Sequence, residues 1–306
     1  MTVEVAGMMA AGAAVLVVGA ALLRPRFVAA SGAERILVLG PVCYAIALAI
    51  FAAEHFTDAR DIAGGVPHWL PEPLFWAYFV GAAWLAAAIS FVIWRCVRWS
   101  APLTALLLLL IVATIDLPNT AANLHNRIFW ILLFRETTFA AGAMVLGGSV
   151  WPRENVAGAA LMRVGRAIVG AVMIFYAVEH FLHPRHVIGV PLEKLAPAWV
   201  PVPVLLAWVV GVALLLGGIG LFIRPTVRIA AAGAGGVLLL VTIFYYGPML
   251  VAEFHSNPVE GLNYVGDTLL YAGTVLLAGL GATPLPAEKS SSPSLAQNSH
   301  ASARCL

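Results

Sequence analysis

An acid followed by an imidazole closes an apolar run twice in this chain. The first run ends Phe51-Ala52-Ala53-Glu54-His55-Phe56, and 125 positions later the second ends Tyr176-Ala177-Val178-Glu179-His180-Phe181. A carboxylate beside an imidazole at the end of a greasy segment can take up and pass on protons. The acid favours the imidazolium, so His55 and His180 are expected to hold a proton more tightly than free side chains. Glu54 and Asp58 stand four apart, on one helix face. In the second copy His183 takes the place of Asp58, which pairs it with Glu179 at the same spacing. That spacing suits a proton relay or two metal ligands, and His183 is the candidate metal ligand. The plainer alternative is that acids and imidazoles at a helix end meet headgroups and water.

A second cluster follows later in each half. Asp116, Asn119, Asn123, His125, Asn126 and Arg127 cap one apolar run, and Pro248, Glu253, His255 and Asn257 cap its counterpart. Asp116 is the deepest acid. An ionisable group there is costly unless it faces a bundle interior or a cavity, where Arg135 or Arg127 could neutralise it. Its counterpart is Tyr246. Arg135-Glu136 reads as the opening of a helix, with Asp267 matching Glu136, since acids complement a helix N-terminus. His55 with His125, and His180 with His255, are expected at one side of the membrane. Paired histidines can ligate haem iron, although b-type haem ligands lie deeper in their helices. The tryptophans near run ends read as an interfacial belt.

These residues need a scaffold, and composition names it. The chain has 306 residues, 61% hydrophobic and 10% charged, with a mean hydropathy of +0.93. Soluble domains carry about 25% charged residues, so this is the composition of an all-α, polytopic membrane protein. A net charge of +2 with no basic patch excludes nucleic acid as a partner. No CxxC pair occurs among the 3 cysteines, which excludes dithiol redox chemistry, and Cys305-Leu306 is no prenylation signal. Met1–Gly7 lacks the basic start of a cleaved signal, so the run 6–23, ending at Arg24-Pro25-Arg26, is expected to stay as a helix. Further apolar runs near 36–55, 73–94, 102–118, 137–150, 164–182, 202–222, 229–247 and 266–281 bring the expectation to about nine spans.

Charge orients them. Twelve of the 17 basic residues fall on the side reached after the first span, and 12 of the 15 acids fall on the other. The positive-inside rule then puts the N-terminus outside and the C-terminus in the cytoplasm of a cell inner membrane. His55, His68, His125, His180, His183, His186 and His255 all lie on the outer side, so chemistry is expected there.

The halves repeat. Pro67, Trp69, Pro71, Pro73 and Gly81 match Pro197, Trp199, Pro201, Pro203 and Gly211 at an offset of 130, as do Arg98 with Arg228, Pro118 with Pro248 and His125 with His255. Glu136 and Gly142 match Asp267 and Gly273 at 131. The step from 125 to 130 is a five-residue insertion near His183–Leu195. The expected organisation is an N-terminal helix and loop (1–35), a four-helix unit (36–150), a second (161–281) and a disordered tail (283–306). An even span count keeps both units in one orientation, as parallel repeats about the membrane normal.

Each unit resembles the DoxX-like family of four-helix membrane proteins. The carrying residues are Glu54-His55-Phe56, Val66-Pro67, Leu70-Pro71-Glu72-Pro73 and Gly81. In the second unit they are Glu179-His180-Phe181, His183-Pro184, Val200-Pro201-Val202-Pro203, Gly211 and Arg224-Pro225. The family's setting is membrane redox work: some members resemble the small subunit of thiosulfate:quinone oxidoreductase and others associate with oxidoreductases. The resemblance implies an integral membrane component of an oxidoreductase system, quinone-linked, partnered by an oxidoreductase and embedded in the lipid bilayer. Glu54, His55, Asp116, His125, Glu179, His180 and His255 are then the expected catalytic groups. A quinone is the leading cofactor, ahead of haem or metal. The rivals are a small-molecule or metal-handling transporter and a structural assembly partner without chemistry.

Overall fold

The computed structural model describes residues 2–152 and 154–280; the expected tail lies outside them. Among the described residues there are helices, turns and one isolated antiparallel bridge, His186 to Leu195. The helices are α1 (Val3–Ala29), α2 (Ala33–Leu37), α3 (Gly40–Thr57), α4 (Ala59–Ala63), α5 (Pro73–Ile93), α6 (Val97–Ile111) and α7 (Leu117–Ala122). They continue with α8 (Arg127–Ser149), α9 (Val156–Leu182), α10 (Pro203–Phe222), α11 (Val227–Val241), α12 (Gly247–Glu253) and α13 (Pro258–Leu280).

Eight helical stretches are long and apolar enough to cross a membrane: α1, α2–α3, α5, α6–α7, α8, α9, α10 and α11–α12. The chain therefore has the architecture of a multi-pass membrane protein. The ninth expected span, α13, has 23 residues and is not among the eight. It carries Glu260, Asn263 and Asp267 and buries most of its surface against other helices. The large apolar side chains left exposed, such as Leu16, Phe75, Leu106, Leu205 and Leu216, lie on the outer helices, as a lipid environment requires.

Helix ends depart from the apolar runs where local chemistry carries the helix on. α1 does not stop at Arg24-Pro25-Arg26 but continues to Ala29; a proline near the end of a membrane helix removes one hydrogen bond and is tolerated. α8 starts at Arg127 rather than at Arg135-Glu136, because Asn126 accepts from Ile128 N–H and caps it. Arg135 and Glu136 therefore lie two turns inside α8, and Asp267 lies well inside α13. The expectation that Glu136 and Asp267 sit at helix openings is thus corrected.

The element boundaries run in parallel. α6 and α11 begin 130 positions apart, and each is followed by a π-helical turn, Val112–Asp116 and Thr242–Tyr246. Leu117 N–H bonds back to Val112 O, and Gly247 N–H to Thr242 O. Pro118 and Pro248 follow directly and cannot continue an ordinary ladder.

The packing is one ring rather than two closed bundles. In order round the ring, α3 packs on α5, α5 on α6, α6 on α8, α8 on α9, α9 on α10, α10 on α11, α11 on α13, and α13 back on α3. α8 and α13 also meet across the middle, and α1 lies outside against α3 and α5. So the last helix of each half packs on the first helix of the other. Small residues make those crossings close. A Cβ on Gly165 of α9 would come within 2.6 Å of Ala141 O on α8, and one on Gly273 of α13 within 2.7 Å of Tyr44 N on α3. Tyr44 and Tyr176 tie the crossings to α8, donating to Phe139 O at 2.7 Å and to Ile131 O at 2.9 Å.

Candidate functional site

Both Glu-His pairs lie at one end of this ring, called here the Glu-His end. Close helix approach sets each histidine: a Cβ on Gly81 would meet His55 Cβ at 2.7 Å, and one on Gly211 would meet His180 Cβ at 3.2 Å. From there the halves differ.

In the first half a cavity of about 210 Å³ opens between α3, α5, α6, α8 and α13. Its lining includes Phe51, Glu54, His55, Trp84, Leu108, Arg135, Glu136, Asn263 and Asp267. Arg135 is the cation at its centre. It donates to Asp267 Oδ2 at 2.7 Å and to Glu136 Oε1 at 3.0 Å. Glu54 Oε1 accepts from Asn263 Nδ2 at 2.8 Å. His55 is 8% exposed, packs edge-on against Trp84 with centroids 4.6 Å apart, and shares its Nδ1 proton with Phe51 O at 2.8 Å. Its Nε2 makes no hydrogen bond among the described residues.

Asp116 stands on the π-helical turn beside this group, under the charges of Glu136 and Arg135. Neither Arg135 nor Arg127 hydrogen-bonds it. Three buried polar atoms here lack any partner: Trp84 Nε1, Asn263 Oδ1 and Asp116 Oδ2. Buried polar groups are ordinarily satisfied, so these mark room for water or a ligand.

In the second half the corresponding space is filled by the chain itself. The inserted loop forms a small hairpin, with Val187 N–H bonded to Lys194 O and Ala196 N–H to Arg185 O, both at 2.9 Å. Its tip buries Val187, Ile188 and Val190. Gly189 N–H donates to His180 Nε2 at 2.9 Å, and Tyr246 Oη donates to Ile188 O at 2.7 Å. Gly189 also lies against Leu238 and Thr268. His180 and Leu238 are the counterparts of His55 and Leu108 in the cavity wall, so the plug occupies the equivalent place.

The hydrogen bonds fix the state of His180. Nε2 must offer a lone pair to Gly189 N–H, so the ring proton sits on Nδ1, 2.6 Å from Tyr176 O. His180 is a neutral imidazole, 2% exposed. The expectation that an adjacent acid makes it imidazolium is corrected, because Glu179 points elsewhere. Glu179 Oε2 accepts from Arg127 Nη1 at 3.0 Å, and Arg127 also donates to Pro191 O and Leu192 O, latching the plug. Lys194 adds bonds to Glu253 and Glu260 at 2.9 and 3.0 Å. Burial works against the charge on Lys194, but those two carboxylates outweigh it and hold its ammonium above the usual range. His186, on the hairpin, is pushed down from the usual range by burial and then by Arg127.

Other sequence candidates fall outside both sites. His125 and His255 are exposed in the turns after α7 and α12, away from the buried His55 and His180, so neither haem pair forms. Asp58 follows the last residue of α3, its N–H still bonded to Glu54 O at 2.8 Å. His183 likewise ends α9, its Nε2 3.9 Å from Glu179 Oε2. Among the described residues no three His, Cys, Asp or Glu side chains group to hold a metal ion, so His183 gains no further ligands. Sequence reasoning passed over Trp84 and Asn263, read Glu136 only as a helix-end residue, and gave Arg135 as a helix-end residue or a partner for Asp116. The usable signal was polar residues inside what proves to be membrane-length helix.

The fold thus defines the class, a helical multi-pass membrane protein with an acid-rich cavity in one half and a plugged counterpart in the other. No family model, curated protein or solved structure matches the chain, so the DoxX-like resemblance rests on its short motifs alone.

Proposed function

We propose that the protein binds a small cationic ligand in the first-half cavity and exchanges protons with it, as a small-molecule-handling membrane protein. The observation that carries this is a charge imbalance. Glu54, Glu136 and Asp267 line the cavity with one guanidinium, Arg135, which pairs with Glu136 and Asp267 and leaves Glu54 without a cation. Carboxylates held in a membrane interior need protons or a cation to balance them. Trp84 adds an aromatic wall suited to a cation. Calorimetry on detergent-purified protein tests it. Small organic ammonium ions should bind at pH 7.5 and bind more weakly at pH 5 as protons take their place; no binding at either pH sinks the reading.

A second reading keeps the oxidoreductase component. A groove of about 480 Å³ runs between α5 and α6, lined by Ala83, Ala87, Thr104 and Leu107, on the same two helices that give Trp84 and Leu108 to the cavity wall. Its counterpart is closed, since a Cβ on Gly217 would meet Ala234 at 2.6 Å. An apolar groove on the helix pair that also walls an acid-rich cavity suits a membrane-soluble quinone. When bound, such a group supplies two-electron, two-proton chemistry. Trp84 N–H would hold a ring oxygen, the carboxylates would take up the protons, and a partner oxidoreductase would take the electrons. Extraction of the purified protein for bound quinone tests this.

The membrane setting belongs to the same proposal: nine spans, with the halves as parallel repeats and the Glu-His end outside an inner membrane. The matching element boundaries support the repeat, and the basic residues clustered at the opposite end support the orientation. Truncation fusions at Gly64 and Gly189 should both report the extracytoplasmic side. Opposite sides would break the parallel relationship.

A further inference from the structure

A different binding chemistry lies at the end of the molecule away from the Glu-His pairs. α1 runs antiparallel to α3: a Cβ on Gly7 would come within 3.1 Å of Thr57 at the end of α3, and one on Gly19 within 2.7 Å of Val42 near its start. Arg26, near the end of α1, is therefore far from Glu54 and His55. Here a groove of about 180 Å³ opens between α1, α3 and α5. Leu23, Val42, Phe91 and Val92 make it apolar, and Arg26 and Trp94 are the last residues that α1 and α5 give to its wall. Leu22 and Ile93, on the same wall, remain exposed, so the groove opens sideways to lipid.

Arg26 is placed to meet an anion. Its guanidinium lies over the Trp94 ring, 4.8 Å from the centroid. It makes no ion pair among the described residues. Glu34, the acid nearest to it in sequence, is taken by Arg228, and Arg35 is engaged with Ala30 O at 3.1 Å. A guanidinium resting on an aromatic face keeps its N–H fork free, and that fork matches two phosphate oxygens. Trp94 holds its place as the C-cap of α5 with a left-handed backbone, φ 56, where glycine is the usual residue. A bulky residue kept at a costly φ points to a role beyond the turn itself.

From this geometry we infer that the groove binds an anionic phospholipid, its phosphate on the Arg26 guanidinium and the upper part of one acyl chain along Leu23, Val42 and Phe91. Charge selects the headgroup, because basic pockets between membrane helices attract anionic lipids. Length fits the chain: Gly19 lies about two turns from Arg26, so the groove reaches about 10 Å into the bilayer from the phosphate. The rest of the lipid stays in the bilayer, beside Leu22 and Ile93. The site shares no residue with the acid-rich cavity and stands whatever that cavity binds.

The test is native mass spectrometry on the full chain, delipidated in detergent and titrated with phosphatidylglycerol or phosphatidylcholine. One phosphatidylglycerol should bind about fivefold more tightly than phosphatidylcholine, the weight of one basic residue near the headgroups. Arg26→Gln should bring the two lipids to equal affinity. Arg24→Gln, at an exposed residue outside the groove, should leave the preference intact. Arg26→Lys keeps the charge, loses the fork and should fall between. Melting temperature without lipid should match the parent in all three, since neither arginine is buried. Equal affinity of the parent for both lipids overturns the inference. So does an equal loss in Arg24→Gln, which would mean a diffuse basic surface. A much lower melting temperature in Arg26→Gln would make Arg26 structural and overturn it as well. Inorganic phosphate at the lipid's concentration should not displace the lipid; displacement would mean that the groove holds no chain.

Discussion

The two Glu-His pairs sit in matched helices and yet have opposite local roles. Around His180 the imidazole, its neighbouring acid and the plug peptide are all answered: Gly189 N–H takes Nε2, Arg127 takes Glu179, and Tyr246 takes Ile188 O. Around His55 the acids outnumber the cation, and Trp84 Nε1, Asn263 Oδ1 and Asp116 Oδ2 are left open. The difference teaches that a motif is not a site. The same two residues are structural where a loop satisfies them and available where it does not. Two changes separate the halves: a five-residue insertion that builds the hairpin, and tyrosine against aspartate on the π-helical turn.

The strongest way to break the comparison is to remove the central cation. Arg135→Leu strands Glu136 and Asp267 without a partner, and breaking a buried pair costs about 3–5 kcal/mol. Apparent melting temperature in detergent should fall sharply. Adding Glu136→Gln and Asp267→Asn should recover much of the loss. If the single variant melts like the parent, Arg135 does not hold the site together.

Swapping the two histidines for phenylalanine compares the halves directly. Both variants lose one Nδ1 bond. Only His180→Phe also orphans a buried N–H, at about 1–3 kcal/mol. It should destabilise clearly more than His55→Phe, and equal losses would contradict the plug's geometry.

The acids should divide in the same way, with a smaller effect. Glu179→Gln weakens the Arg127 latch and should cost on the order of 1 kcal/mol. Glu54→Gln keeps an acceptor for Asn263 and should leave stability alone while reducing cation binding. Parallel melting and binding curves would show either outcome.

The smallest expected effect is pH dependence of the plug. Because His186 is held below its usual range, the folded form prefers it neutral. That contribution is complete above the ordinary histidine pKa of about 6.5 and is lost as pH falls through the lowered folded value. It should amount to a few tenths of a kcal/mol, since the group is partly exposed. His186→Asn should flatten the slope of melting temperature between pH 7.5 and 5.

Several of these features were readable in the chain. The 130-residue offset of Pro118 with Pro248 and Gly81 with Gly211 is local, because a proline or a close helix approach demands the same residue type wherever it recurs. Asp116 stood out because an acid at membrane depth is costly. Arg135, Glu136 and Asp267 were misplaced because the ends of apolar runs were taken for the ends of helices. Asn126 carries α8 further, and ion pairing lets the charged turns stay inside.

The sequence by itself determined an all-α chain of membrane-length apolar helices, its charge asymmetry and its two matched halves. These follow from hydropathy and short-range periodicity, which need no partner to be read. Only the tertiary structure decided that α8 packs on α9 and α13 on α3, so that Arg135 of one half meets Asp267 of the other. It also decided which Glu-His pair stays open. That depends on where the backbone of residues 187–190 comes to rest, and a loop's landing place is set by distant contacts, not by its own residues.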